Sequence, residues 1–145
     1  MTMESELLQF EVACNDLEGA VEQIRLAGFK TQNGSQLLME KKRAILSHFV
    51  RLNRDFIPAL KQASDTWPTV SQTVRFFVAD SQNTIKAIND FFIQYPYHEN
   101  SLAFASEYGK IFALLINSVH KHNAVCGLIQ HAQKQNQKHD RVIGE

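Results

Sequence analysis

The stretch Leu7–Ile24, LLQFEVACNDLEGAVEQI, decides the fold. Leu7, Phe10, Cys14, Leu17, Val21 and Ile24 recur at alternating intervals of three and four, a seam that an α-helix gathers on one side. Glu11, Asp16, Glu18 and Glu22 fall between them and take the polar side. Gly19 also falls there; it costs on the order of 1 kcal/mol relative to Ala but leaves the period intact. Gly28 follows the seam and can take the left-handed conformation that ends a helix, so the spacing predicts a helix from Met3 to Ala27.

The same period recurs through most of the chain. Asn33-Gly34 reads as a turn and Ser35 as the cap of a second helix, whose seam is Leu38, Ile45, Phe49, Leu52, Phe56, Ala59 and Ala63, with Lys42 at its one polar position. Pro58 lies inside that pattern. It removes an amide and crowds the carbonyl of Arg54, which predicts a kink near Arg54 to Ile57. Ser64-Asp65-Thr66-Trp67-Pro68 is a connection rich in capping residues. A third helix turns Val70 or Val74, Phe77, Ser81, Ile85, Ile88, Phe92 and Tyr95 inward and closes at Tyr95-Pro96-Tyr97. The fourth opens around Asn100 or Ser101 and uses Ala105, Tyr108, Phe112, Leu115, Val119, His122, Cys126 and Ile129.

Such helices are rods of roughly 40 to 50 Å, and the short connections make neighbours antiparallel. The expected fold is all-α: a single antiparallel up-down-up-down four-helix bundle over residues 1–130. Residues 131–145, rich in Gln, Lys and His, form a polar C-terminal extension of the fourth helix that frays or projects.

Composition limits the function classes. Apolar residues are 44% and charged residues 21% of the chain, a globular balance. The 15 basic and 15 acidic side chains cancel, leaving no global field to draw the protein onto nucleic acid or an anionic membrane. The charges are nevertheless segregated. Glu4, Glu6, Glu11, Asp16, Glu18 and Glu22 mark the first helix, whereas Lys41, Lys42, Arg43, Arg51, Arg54 and Lys61 mark the second, so the two are expected to be complementary neighbours. The longest apolar run, Ile111–Ile116, is too short to span a bilayer, and the acidic N-terminus lacks the pattern of a cleaved signal. A cytoplasmic protein with no membrane span is expected. Cys14 and Cys126 make no metal or redox spacing and read as reduced core thiols.

Chemistry-bearing constellations are sparse. His120, His122 and His131 gather near Cys126, and the i, i+4 pair His122/Cys126 is half of a soft metal site that would need Cys14 or another histidine to complete it. His122 reads instead as a core or boundary imidazole, with His120 and His131 solvated, and neither metal nor cofactor is assigned. A histidine phosphotransfer bundle is an alternative. That class carries Lys and Gly three and four residues after an exposed His, whereas His48 is followed by Arg51 and Leu52 and His120 by Asn123 and Ala124. There is no nucleophile elbow, phosphate-cradling loop or metalloprotease helix, so no enzyme is expected. Lys41-Lys42-Arg43 and the Lys134 to Arg141 tail read as solvated faces, and no nucleic-acid partner follows from them.

Surplus apolar residues are the most informative feature. Phe104, Ile111, Leu114, Val125 and Leu128 make a second row on the fourth helix, offset from its seam by about 100°. Phe76-Phe77 and Phe91-Phe92 double the aromatics of the third. These residues either widen the core or form an interface. The preferred reading is a non-catalytic interaction module, a chaperone, adaptor or regulatory subunit. It would dock a partner's amphipathic helix through Phe104, Ile111, Leu114, Val125, Leu128, Phe76 and Phe91, with homodimerisation competing for that face.

Two segments give that idea a concrete form. Leu38, Lys42, Leu46 and Arg54 on the second helix, and Asn123 with Gly127-Leu128-Ile129 on the fourth, resemble the flagellar export chaperones of the FlgN type. The resemblance implies a small cytoplasmic helical protein that holds hook-filament junction subunits before secretion. The chain departs from the family where Cys126 stands in place of an Asn, where the glycine lies one residue closer to the aliphatic pair, and in the extra helix between the segments.

Overall fold

The computed structural model describes the backbone of residues 2–28 and 30–144, with side chains through residue 135 apart from that of residue 29. The chain is all-α, and no strand occurs among the described residues. Helix α1 spans Met3–Ala27, the limits set by the Leu7–Ile24 period. Thr2 caps its start, its hydroxyl accepting from the Ser5 amide, while Glu4 and Glu6 complement the positive end of the helix dipole. Gly28 ends it at φ +91°, donating its N–H to the Arg25 carbonyl.

The second helix starts earlier than its turn signals imply. Thr31, not Ser35, is the cap: its side chain accepts from the Gly34 amide, so Asn33-Gly34 lies in the first turn of α2 (Gln32–Glu40). Lys41 interrupts the geometry before α3 (Lys42–Arg51), which leads into a π-helical turn over Leu52–Phe56 and then α4 (Ile57–Thr66). The expected kink is therefore a wide turn, with the Ile57 amide reaching five residues back to the Leu52 carbonyl immediately before Pro58. A single 3₁₀ turn, Pro68–Val70, opens α5 (Ser71–Gln94), and α6 runs over Leu102–Gly144. Backbone of the 131–145 extension is thus helical as far as Gly144; the side chains of 136–145 lie outside the described residues.

Helix α1 packs on α6, α2 and α4, while α5 packs on α6, α4 and α3, so α6 and the jointed segment 32–66 both lie between α1 and α5. The core contains the whole α1 seam, Leu38, Ile45, Phe49, Leu52, Phe56 and Leu60 from segment 32–66, and Val74, Phe77, Ile88, Phe91 and Phe92 from α5. Charge complementarity between α1 and segment 32–66 stops short of pairing. Among the described residues no basic group of that segment forms an ion pair with an α1 carboxylate, although Glu6 favours the charged form of Arg54. Arg51 instead donates to Gln9, and Lys42 lies over the Phe92 ring.

Two glycines of opposite consequence test the first turn. A Cβ on Gly28 would sit 2.9 Å from Thr31 Cγ2 at a positive φ, so Gly28→Ala should lower stability by about 2 kcal/mol. Gly19→Ala has open space and a helical backbone, and should raise stability by about 0.5 to 1 kcal/mol. Urea denaturation of both variants distinguishes these signs; a Gly28→Ala protein as stable as the parent would refute the turn geometry.

Candidate functional site

Two histidines 74 residues apart meet inside the protein. His48 of α3 and His122 of α6 place their Nε2 atoms 3.2 Å apart, one donating the shared hydrogen bond and the other accepting it. Phe10, Phe49 and Phe77 wall in the His122 ring, with centroids at 5.5, 6.4 and 5.1 Å. Burial pushes His48 down to about 3, and repulsion from the Arg51 guanidinium, and from His122 whenever that ring is protonated, pushes the same way. Burial likewise pushes His122 down to about 4. The backbone of Ala13 beside His48 and of Ser118 beside His122 opposes these shifts, although neither Nδ1 atom makes a well-formed hydrogen bond. Both rings are therefore neutral at pH 7.

This arrangement bears on two sequence candidates. His48 shows an edge to a cleft of about 240 Å³ beside Asp16 and Arg51, but its Nε2 is turned inward to His122, away from any phosphodonor. His120 and His131 are exposed, and no group of three or more His, Cys, Asp or Glu side chains able to hold a metal occurs among the described residues. Cys126 faces Cys14 instead, Sγ to Sγ at 3.9 Å.

The second apolar row of α6 changes meaning in three dimensions. Phe104, Ile111 and Val125 are buried core residues, as is Phe91 on α5, so none offers an exposed anchor. The reason is a widened core stripe. Phe104, Tyr108, Ile111, Leu115, Ser118, His122, Val125, Ile129 and Ala132 are all buried at alternating intervals of four and three, and Phe112 and Val119 of the expected seam are buried beside them. Ser118, a polar residue, occupies one of those positions and breaks the apolar row in the sequence. Leu114 and Leu128 are partly buried on its flank, while Ala105, assigned to the core, is exposed. At one end of the protein Phe91, Tyr95, Phe104 and Tyr108 form a ring cluster, with Phe91 to Phe104 at 6.0 Å.

Phe76 differs from the rest. It is 68% exposed on α5 and borders a groove of about 350 Å³ toward α6, lined also by Phe77, Ala124 and Val125 and edged by Asp80 and Lys121. Lys121 Nζ lies 2.7 Å from Asp80 Oδ2, a charged rim across the two helices. No known family, curated protein or solved structure matches the chain. Of the segments resembling the export chaperones, Leu38 and Ile129 are core, Leu128 is partly buried, and Gly127 lies at the surface with open space around it. No helix among the described residues is long and apolar enough to cross a membrane.

Proposed function

We propose that the chain is a non-catalytic interaction module whose partner, an amphipathic helix, docks along the α5/α6 groove. In architectural terms, segment 32–66 serves as one jointed arm beside α1, α5 and α6 in an up-down-up-down four-helix bundle. The observation carrying the proposal is Phe76: a large aromatic ring left 68% exposed at the mouth of an apolar groove. An apolar side chain inserted between Phe76 and Val125 would cover that ring, and polar groups flanking it would meet Asp80 and Lys121. A cytoplasmic chaperone, adaptor or regulatory subunit fits such a surface. Its narrower form, an export chaperone of the FlgN type, rests on the two sequence segments.

Phe76→Lys tests the groove. The substitution should leave the melting temperature unchanged and abolish co-purification of the partner that the parent protein captures from its native host. A variant that retains the same partner would place the interface elsewhere. Light scattering over a concentration series distinguishes homodimerisation through this face, which Phe76→Lys should also abolish.

A further inference from the structure

We propose that Cys126 and Cys14 form a hydroperoxide-oxidisable thiol pair that closes an intramolecular disulfide between α6 and α1. Their sulfur atoms lie 3.9 Å apart although the residues are 112 positions apart in the chain. A disulfide holds its sulfurs about 2 Å apart, so the closing movement is about 2 Å, within reach of side-chain rotation and a small helix shift. The two thiols differ in access. Cys14 is 2% exposed, whereas Cys126 is partly exposed and lines a cavity of about 210 Å³ between α1 and α6. Their acidities differ in the same sense: the hydrogen bond with Cys14 lowers Cys126, while that contact and burial raise Cys14. Cys126 is thus the attacking thiol and Cys14 the resolving one.

The chemistry balances with one peroxide. The Cys126 thiolate attacks one peroxide oxygen, the O–O bond breaks, and the other oxygen leaves as water after taking up the proton released from the thiol. This leaves a sulfenic acid on Cys126. The sulfur of Cys14 then attacks that of Cys126; the S–S bond forms, the S–O bond breaks, and the hydroxyl leaves as a second water with the proton from Cys14. Two thiols are oxidised and one peroxide is reduced by two electrons. Glu4 and Glu11 line the cavity, an acidic approach that favours a neutral oxidant over an anionic one such as glutathione disulfide.

The test exposes the full chain to hydrogen peroxide and follows intact mass and thiol titre. The parent protein should lose both thiols and the mass of two hydrogen atoms while remaining a monomer on a non-reducing gel, and dithiothreitol should restore it. Cys14→Ala should trap a sulfenic acid on Cys126, captured by dimedone, whereas Cys126→Ala should yield no dimedone adduct on Cys14. The parent measurement decides even if a variant fails to fold. Thiols that survive excess peroxide, or a product linked between chains, would overturn the proposal. Equal rates with glutathione disulfide would overturn the assignment of the oxidant.

Discussion

Lowering the pH from about 7.5 to about 5 is expected to remove roughly 4 kcal/mol of folding stability through His48 and His122 alone. The sign follows from where the protons go. Both histidines titrate lower when folded, at about 3 and about 4, than the ordinary imidazole value of 6.5. The unfolded chain therefore binds two protons between those values that the folded chain refuses. Stability is fully present above the unfolded value and is lost as pH falls toward the folded ones, with each group contributing about 1.4 kcal/mol per pH unit. Protonating the folded pair would set two charges 3.2 Å apart among Phe10, Phe49 and Phe77, which is why unfolding is preferred. Urea midpoints across this range give the slope directly. The double variant His48→Leu/His122→Phe should flatten it, and a parent protein with pH-independent midpoints would contradict a neutral buried pair.

Phe10→Ala should destabilise the protein by about 4 kcal/mol, a large share of the 5 to 15 kcal/mol typical of a domain. The side chain is 1% exposed, and its ring touches three elements at once: Phe56 at 5.2 Å, Phe77 at 6.0 Å and His122 at 5.5 Å. Truncation leaves a cavity that rigid rods cannot easily collapse, and it strips one wall from the histidine pair. Leu8→Ala, two residues away on the exposed side of α1, should change stability by less than about 0.5 kcal/mol. Denaturation of the two variants provides the comparison; equal effects would mean that α1 does not present the face described.

How much could be read from residues alone varied with how one-sided each helix is. Helix α1 has one apolar row and acids elsewhere, so its limits and buried face were legible. Helix α6 buries a broader stripe than one seam: Tyr108, Phe112, Leu115, Val119, His122 and Ile129 are core as their period implies, and Phe104, Ile111 and Val125 join them, while polar Ser118 hides the continuity of the added row. The pairing of His48 with His122 is what periodicity hides most completely. The two lie on different helices, and periodicity within one helix carries no information about which side chains meet across a core. The groove is half legible: Phe76 and Val125 stand out as surplus apolar residues, but the Asp80–Lys121 rim depends on how α5 and α6 align. Asn33-Gly34 is a strong turn signal that masks Thr31, although a helix capped by Thr31 accommodates both residues in its first turn.

The joints in segment 32–66 have a mechanical consequence. Helices α1 and α5 are unbroken rods, whereas α3 is a ten-residue piece bounded by Lys41 on one side and the π turn on the other. At both joints the hydrogen-bond register changes rather than stops: the Lys41 amide is shared between the Leu37 and Leu38 carbonyls, and the Ile57 amide reaches back to Leu52. His48 rides on that short piece, while His122 rides on the long α6. The placement of one ten-residue helix, set by a register change at each end, therefore decides whether two imidazoles from distant parts of the chain face each other or part.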